Sequence, residues 1–429
     1  MKLQRQLGLG AVSAAILASM TTAALAGGFA LREQSAYYQG LSFAGAASGS
    51  SLSSMFWNPA ALGTVGPGMT SEGTFGFIIP QTEVTTSAPV TTKETDISVD
   101  AFIPASYGAY RINDRVSLGF SVNGPFGLAT KFGLDSPLRT GLGMVPGGAA
   151  GTSEVFSINV APTVAFNVTD WLTLGVGVQG QYLSVRYTDA QLNVPLGVST
   201  LEVDDIGFGF TAGVLLTPFD GTSIGVGFRS RIEHDLEGDL FTQNPFIPRV
   251  DAQAELVTPD TITVGISQRV TDTFTLLAGF EWANWSNLDI VTVTGFPGNP
   301  RDIPFKYQDG WFLSVGGEYQ ATDHLSVRAG VAYEESPITD AHRTYRLPDN
   351  NRWWFSAGAS YTPLENVRLD FGYSYIRPDE TPVNAGLSFG GTGPDSNLVW
   401  QGEAEADVHI LTVGFKVELE DGLAGLFGH

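Results

Sequence analysis

Cysteine is absent from this chain of 429 residues, and charged residues are scarce. Without cysteine the chain has no disulfides, no thiolate nucleophile and no cysteine-ligated metal site. Charged residues make up 15% of the sequence, against about 25% in an average soluble domain. The composition therefore points away from an ordinary soluble domain and from a disulfide scaffold.

Basic residues are also few, and long apolar runs are missing after the N-terminal region. The chain has 22 Lys and Arg residues against 44 Asp and Glu residues, a formal net charge of −22. Such an acidic chain lacks the basic surface that nucleic acid requires, so we expect no nucleic-acid partner. No run of about 18 apolar residues follows residue 26, so we expect no transmembrane helix.

The first 26 residues have the parts of a secretory signal peptide. Lys2 and Arg5 give a basic start, an apolar stretch follows, and Ala24-Leu25-Ala26 has the small-x-small form that signal peptidase cleaves. The alternative, a membrane anchor, needs a longer apolar stretch and a basic stop-transfer flank. We therefore expect cleavage before Gly27.

From residue 70 to residue 419, apolar residues alternate with small or polar ones. In one run Leu172, Leu174 and Val176 are separated by threonine and glycine. A period of two places alternate residues on opposite faces of a β-strand. The alternation predicts fourteen strands, at about 69–80, 98–111, 115–128, 154–168, 171–188, 204–217, 221–234, 254–269, 273–293, 306–320, 324–336, 351–362, 366–378 and 404–419.

The connections between these strands alternate between short and long. The short ones, rich in Asp, Asn, Pro and Thr, are 112–114, 169–170, 218–220, 270–272, 322–323 and 363–365. The long ones include 129–153, 189–203, 235–253, 294–305, 337–350 and 379–403. Outer-membrane barrels have short periplasmic turns and long extracellular loops. We therefore predict an all-β fold: a 14-stranded antiparallel transmembrane β-barrel in the outer membrane of a Gram-negative bacterium, with both termini periplasmic.

The two faces of the predicted strands differ in chemistry. The apolar face, which we expect to contact lipid, includes Leu118, Phe120, Ile224, Val226, Phe228, Leu369, Phe371, Tyr373, Tyr375, Leu411, Val413, Phe415 and Val417. Aromatic residues that suit interfacial girdles are Trp171, Trp282, Trp311, Trp353 and Tyr361. Because charge in lipid is costly, we expect the lumen to hold Arg229, Arg231, Glu233, Glu281, Glu318, Arg328 and Glu334.

The segment Gly27–Gly68 does not alternate and precedes the first strand. A short helix is expected around Ala30–Leu41, and Phe56, Trp57 and Leu62 are too apolar for a dangling tail. Lying on the periplasmic side, the segment can fold into the lumen as a small hatch, for which a 14-stranded barrel has room. The predicted plan is a signal peptide at 1–26, a hatch at 27–68, a barrel at 69–419 and a tail at 420–429.

The third predicted strand departs from the alternation of apolar and polar residues. After Val116, Leu118 and Phe120 alternate, the chain reads Asn123-Gly124-Pro125-Phe126-Gly127. Proline cannot donate to the ladder, and glycine allows a sharp bend. Within the bilayer this kink would open the wall, and protein would have to cover the unpaired backbone. The alternative is that the segment lies beyond the membrane, at the end of the strand.

Catalytic and metal-binding motifs are weak. Gly175-Val176-Gly177-Val178-Gln179-Gly180 matches G-x-G-x-x-G, but it lies inside an alternating strand with no helix after it. The five histidines are scattered without ligand spacing. We therefore predict that the protein is not an enzyme and expect no catalytic residues, no bound metal and no cofactor.

The hatch, the broken third strand and the loop pattern together resemble the FadL/TodX family of outer-membrane transporters for hydrophobic compounds. The likeness covers nearly the whole mature chain. It is carried by Gly28-Phe29-Ala30-Leu31, Asn58-Pro59-Ala60, Phe126–Phe132, Arg328–Pro337 and Arg346–Asn350. Two departures are Gly124-Pro125 within the kink and the ten residues after Leu419, since such barrels usually end on an aromatic residue.

The resemblance implies a role for each matching residue. Phe29 and its neighbour Leu31 would line a ligand pocket at the N-terminus, and Asn58, Pro59 and Ala60 would form the hatch motif beside the kink. Asn123, Gly124, Pro125, Phe126 and Gly127 would form a lateral opening, through which ligand leaves into the outer leaflet. The implied ligand is a fatty acid or a hydrocarbon.

A carboxylate head group would need a cation. Lys306 has the inward parity of its strand and is the first candidate for this contact; Arg186 is the second, although its parity points outward. The alternative for Lys306 is a solvated lysine at the base of a loop.

Two other functions are compatible with a barrel: a hydrophilic porin with an open lumen, and an adhesive or structural barrel that acts through its loops. The segment Gly27–Gly68 favours the transporter, because a porin needs no hatch. We expect contacts with outer-membrane lipid and lipopolysaccharide. A monomer is favoured, since a closed barrel leaves no strand edge unpaired.

Overall fold

A computed structural model describes residues 27–88, 91–133, 136, 138, 151–190, 198–242, 246, 248–295, 300–386 and 399–419. The predicted signal peptide at 1–26 and the predicted tail at 420–429 lie outside these residues. Among the described residues, no helix has the length and the apolar character needed to cross a membrane.

The described residues form 21 strand segments that assemble into fourteen wall strands. Seven wall strands are single segments: β1 (Gly68–Ala88), β6 (Thr152–Thr169), β7 (Leu172–Ala190), β8 (Val198–Phe219), β17 (Leu325–Glu335), β18 (Arg352–Leu364) and β21 (Val399–Leu419). Seven consist of two: β2 (Thr92–Thr95) with β3 (Ala101–Arg111), β4 (Val116–Asn123) with β5 (Gly127–Lys131), β9 (Thr222–Arg229) with β10 (Glu233–Thr242), β11 (Val250–Val257) with β12 (Thr261–Arg269), β13 (Phe274–Ala283) with β14 (Ile290–Val293), β15 (Arg301–Pro304) with β16 (Gly310–Thr322), and β19 (Val367–Pro378) with β20 (Thr381–Gly386).

The first and last strands close the sheet into a barrel. β1 pairs antiparallel with β21 from Met69↔Leu419 to Ala88↔Gln401, and its other edge pairs with β3. The remaining neighbours are also antiparallel, so the predicted 14-stranded antiparallel barrel is confirmed. Several strands run further on the long-loop side than the alternation indicated.

The apolar face points outward, as predicted. On β7, Leu174, Val176 and Val178 are 44%, 56% and 58% exposed. The inward face instead buries Ser, Thr, Asn and Gln side chains, such as Gln179 and Gln181 on the same strand. In a soluble sandwich these two burial patterns would be reversed.

The predicted girdle aromatics lie at both rims of the outward face. Trp171 and Tyr361 are exposed near the short turns, whereas Trp311 and Trp353 lie near the long-loop end. Tyr333 lies between the latter two, with ring centroids 5.5 and 5.0 Å away. This arrangement is typical of a barrel that spans a bilayer.

Five of the seven predicted lumenal charges point inward, and two do not. Arg328 is fully buried, with Glu318 and Asp370 each at 3.3 Å. Arg231 and Glu233, however, are exposed and pair with each other at 3.3 Å outside the barrel, so their predicted placement is wrong. The strand is interrupted between β9 and β10, and the interruption reverses which residues face the lumen.

Interruptions also occur at the same level in the next three wall strands. They lie between β11 and β12, between β13 and β14, and between β15 and β16, where Thr261 is paired with Ala283 and Ala283 with Gly310. In the second of these, between β13 and β14, the turn Trp285–Asn287 folds inward and buries Trp285. This inward turn reaches the N-terminal segment.

Residues 27–67 pack inside the barrel as a hatch of short turns. They contain one helix, Ala36–Gln39, and the 3₁₀ turns Ala46–Ser48, Leu52–Phe56 and Pro59–Thr64. The helix is shorter than the predicted Ala30–Leu41, because Ala30 and Leu31 pair with a wall strand instead. Glycines let the hatch backbone approach the wall: a Cβ on Gly225 or Gly227 would lie 1.8 Å from a hatch carbonyl oxygen.

Candidate ligand cavity and side gap

The third wall strand is interrupted where the sequence predicted a kink. β4 ends at Asn123 and β5 begins at Gly127. Toward β6 the ladder runs from Asn123↔Asn159 to Gly127↔Phe156, so three residues stand opposite two. Pro125 has no N–H to donate, which fits its place in this bulge.

On its other edge the third strand separates from β3. Pairing between β3 and β4 stops at Ser106↔Val122 and resumes only as the single bridge Ser98↔Thr130. Among the described residues, β3 from Ala101 to Ala105 has ladder partners on β1 alone. The wall therefore has a gap between its second and third strands.

The N-terminal segment fills this gap from inside. Leu31 donates its backbone N–H to the Pro125 carbonyl at 2.8 Å, and Gly127 donates to the Phe29 carbonyl at 2.9 Å. Gln34 adds a side-chain bond to the Gly124 carbonyl at 2.8 Å. The residues Phe29–Leu31 thus act as a short extra strand that satisfies the backbone of the kink.

A cavity of about 20 Å³ marks the gap. On the lumenal side it is lined by Leu31 and Phe126. On the outer side it is lined by Phe102 and Pro104 of β3 and by Ile158 of β6. Apolar side chains therefore line the wall on both sides of the interruption.

Phe29 is buried in an aromatic cluster. Its ring centroid lies 4.8 Å from that of Trp285 and 5.7 Å from that of Phe126. Trp285 belongs to the inward turn of the ninth wall strand, and Phe126 belongs to the kink. Phe29 thus links the two wall interruptions across the lumen.

A buried network of charges holds the same segment. Arg32 contacts Glu281 at 2.6 Å and Glu334 at 3.3 Å, and Gly28 donates its N–H to Asp349 at 3.3 Å. Arg352 bridges the two acids, at 2.9 Å from Glu334 and 3.2 Å from Asp349. Because breaking such buried pairs is costly, the network fixes the position of the N-terminus.

A larger cavity lies against the N-terminal segment. Its volume is about 60 Å³, well below the roughly 300–1,000 Å³ of a site for a small molecule. Its lining includes Ala30, Leu31, Phe126, Trp285 and two cations, Arg32 and Arg229. With the N-terminal segment in this position, the cavity is closed to a ligand of ordinary size.

The hatch motif fastens the hatch to the wall at another place. Asn58 donates to the carbonyls of Ala47 at 2.9 Å and Val214 at 3.0 Å, and its side-chain oxygen accepts from Ala60. Pro59 occupies the first turn of the 3₁₀ helix that Asn58 caps. The Val214 contact places the motif against β8 rather than at the kink.

Neither predicted partner for a carboxylate lines this cavity. Arg186 is half exposed on the outward face and pairs with Glu202 at 3.1 Å. Lys306 is exposed and has a positive φ of 47° in the interruption between β15 and β16. Counting alternation back from β16 pointed Lys306 inward, but the strand does not continue through this residue.

Sequence reasoning identified Glu281, Glu334 and Arg229 as lumenal but missed Trp285 and Asp349. The sequence around Trp285 gave no sign of a turn, because residues 273–293 were predicted to form one continuous strand. Asp349 lies in Arg346–Asn350, one of the segments that carried the family resemblance. Among the described residues, no group of three or more His, Asp or Glu side chains is arranged to hold a metal ion.

Comparisons with known proteins agree with this architecture. Residues 17–419 match the family described as outer membrane protein transport protein (OMPP1/FadL/TodX). The chain is similar to the 47 kDa outer membrane protein of Pasteurella multocida, with 25% identity over 94% of this chain and 97% of the relative. It is 23% identical to the long-chain fatty acid transport protein of Salmonella typhi, over 87% and 92% of the two chains.

The crystal structure of a Pseudomonas aeruginosa FadL homologue shares the fold. Its TM-score is 0.79 at 22% identity, and the match covers 91% of this chain and 99% of that one. The chain therefore belongs to the OMPP1/FadL/TodX family of outer membrane transport proteins and lies in the outer membrane of a Gram-negative bacterium.

Proposed function

We propose that this protein carries hydrophobic small molecules passively across the outer membrane. A ligand enters the lumen from the loop side and binds in the cavity beside Phe29. It then leaves through the gap between the second and third wall strands, into the outer leaflet. The sequence similarity to the long-chain fatty acid transport protein of Salmonella typhi supports a hydrophobic ligand.

The observation that carries the proposal is that Phe29–Leu31 close two spaces at once. Ala30 and Leu31 line the cavity, while Leu31 and the Phe29 carbonyl bond to the kink. Withdrawal of this segment would enlarge the cavity and free the gap together. Ligand binding and side exit would thus be coupled through one short segment.

No energy input is needed for this route. Each CH₂ group that leaves water for an apolar surface gains about 0.8 kcal/mol, so the cavity can capture a chain from solution. The bilayer beyond the gap is equally apolar, so the ligand moves on without re-entering water. A water-filled pore would give such a ligand no comparable gain.

A disulfide that locks the segment tests the proposal. Ala30 and Phe126 form a non-hydrogen-bonded antiparallel pair, whose Cα atoms lie about 4.5 Å apart in an ideal ladder. That separation is within the disulfide range of about 4.4–6.8 Å. In a chain without cysteine, Ala30→Cys with Phe126→Cys allows only this one disulfide within the molecule.

We expect the oxidised double variant to lose most uptake of a fluorescent fatty acid, and a reductant to restore it. The single variants control for loss of each side chain. Ser35→Cys with Ser53→Cys, whose hydroxyls lie 2.7 Å apart, gives a matched bond within the hatch that should leave uptake unchanged. Full uptake by the oxidised Ala30–Phe126 pair would refute the side-exit route.

A further inference from the structure

The wall has a second gap, between its sixth strand, β8, and its seventh strand, which consists of β9 and β10. The pairing of β8 with β9 ends at Thr211↔Arg229, and its pairing with β10 begins only at Asp204↔Glu237. Residues 205–210 of β8 therefore face residues 230–236 without a ladder among the described residues. As in the third strand, the interruption leaves unequal numbers of residues opposite each other.

The backbone hydrogen bonds show that the two strands separate here. Ser230 donates its N–H to the Phe210 carbonyl at 2.9 Å, and Phe210 donates its N–H to the Ser230 hydroxyl at 2.9 Å. Because alternate residues of a strand direct their backbone groups to the same edge, Phe208 also faces the seventh strand. Among the described residues, its backbone has no hydrogen bond across the gap. Ile232 instead exchanges hydrogen bonds with Thr258 on the far side, at 2.9 and 3.0 Å.

The side chain of Ile232 closes this gap. Ile232 is buried and lies against Gly207 and Gly209, which offer no side chain of their own. Beside it, His234 is held by Asp205 at 3.0 Å and is fixed in place. Since the strands are not paired here, rotation of the Ile232 side chain opens the gap without breaking a ladder hydrogen bond.

Both ends of the gap meet surfaces that suit a hydrophobic ligand. On the outside, Ile206 and Phe208 are 61% and 74% exposed, as lipid-facing side chains of a barrel are. On the inside, the cavity that touches Phe126 at the first gap is also lined by Arg229 and Pro259, beside the second gap. One cavity thus reaches both interruptions of the wall.

We infer that this gap is a second side exit for the hydrophobic ligand and that Ile232 is its gate. The inference rests on the proposed function, because the ligand reaches both exits from the same cavity. The first exit opens when the segment Phe29–Leu31 leaves the kink, whereas the second opens when one side chain turns. The second opening is narrower, so we expect it to carry the smaller share of the uptake.

A disulfide that fixes the gate tests this inference. A Cβ at position 209 would lie 2.8 Å from Cγ1 of Ile232, so the Cβ atoms of Gly209→Cys and Ile232→Cys come within the roughly 3.5–4.5 Å of a disulfide. The pair is introduced into a protein that lacks Gly124, in which the first gap is closed. Uptake of a fluorescent fatty acid by cells is then measured before and after oxidation.

The reduced and oxidised proteins should behave in opposite ways. Before oxidation, we expect more uptake than with the Gly124 deletion alone, because cysteine is smaller than isoleucine. Oxidation should lower the uptake to that of cells without the protein. Ile232→Ala, which cannot be cross-linked, should raise the uptake of the Gly124 deletion in both conditions. Uptake that responds neither to oxidation of the pair nor to Ile232→Ala would overturn the inference.

Thr222→Cys with Gln268→Cys is the matched control. These residues are ladder partners on β9 and β12, and their side chains lie 2.7 Å apart, away from the gap. The Cα atoms of ladder partners are about 4.5–5.5 Å apart, within the disulfide range of about 4.4–6.8 Å. Oxidation of this pair should leave the uptake of the Gly124 deletion unchanged. An equal loss with this pair would remove the special role of the gate.

The outcomes separate this inference from the proposed function. The Ala30–Phe126 disulfide closes the cavity and thereby both exits. If that disulfide blocks uptake but the gate variants have no effect, only the second exit is removed. If uptake survives that disulfide, the route beside Phe29 fails, and a loss on oxidation of the gate pair would still establish passage between β8 and β10.

Discussion

At the scale of single residues, the hatch buries one carboxyl group without a full set of partners. Glu33 is 1% exposed, and its Oε2 atom has no hydrogen bond among the described residues. The pKa of Glu33 is raised from 4.5 to about 7, chiefly by burial and also by nearby Glu334, whereas a backbone hydrogen bond, Arg32 and Arg352 oppose the shift. The docked hatch therefore favours the protonated acid.

The sign of the pH dependence follows from this shift. A carboxyl group whose pKa is raised in the docked state contributes full stability below pH 4.5 and loses it as the pH rises through about 7. We expect the hatch amides to exchange hydrogen faster at pH 8 than at pH 6, after correction for intrinsic rates. Glu33→Gln should remove most of this difference, and the same pH response in both proteins would contradict the role of Glu33.

At the scale of single elements, the sequence predicted the spanning part of each strand well. The predicted 154–168 corresponds to Thr152–Thr169, because lipid on one side and lumen on the other impose strict alternation there. The sequence-based prediction missed the parts of β1 and β21 on the long-loop side. β1 extends to Ala88, and β21 begins at Val399. Beyond the bilayer both faces of a strand can be polar, so the alternation fades while the pairing continues.

Strand interruptions were predictable only where they contain proline and glycine next to each other. Gly124-Pro125 marked the kink in the third strand. The inward turn at Trp285 and the outward placement of Arg231 have no adjacent proline and glycine in the sequence. A one-residue shift moves the following side chains to the other face of the strand without changing the composition. Tertiary contacts, above all the packing of Trp285 on Phe29, decide these positions.

The bulge in the third strand provides a prediction at this scale. Three residues stand opposite two of β6, so deletion of Gly124 would restore equal numbers and allow pairing with β3. We expect the shortened protein to insert as a barrel but to lose most fatty-acid uptake, because the wall closes. Deletion of Gly133, which follows β5, is the control and should leave uptake intact; uptake by the Gly124 deletion would place the exit elsewhere.

At the scale of the whole molecule, the wall closes without the hatch, although many hydrogen bonds join the two. The ladder between β1 and β21 closes the wall without using residues 27–67. The hatch nevertheless fills the lumen so closely that a Cβ on Gly225 would meet its backbone. The wall thus supplies the membrane-spanning scaffold, and the hatch fills its lumen.

Ion conductance distinguishes this transporter from a hydrophilic porin. In planar bilayers the wild type should conduct weakly, because the hatch occupies the lumen. A variant that lacks residues 28–66 should insert, since β1 begins at Gly68, and should conduct far more, because the polar inward face then meets water. Resistance to unfolding in detergent, compared with the wild type, verifies that the barrel has formed. Large conductance of the wild type, close to that of the deletion variant, would mean that the lumen is open despite the hatch and would make the porin the better explanation.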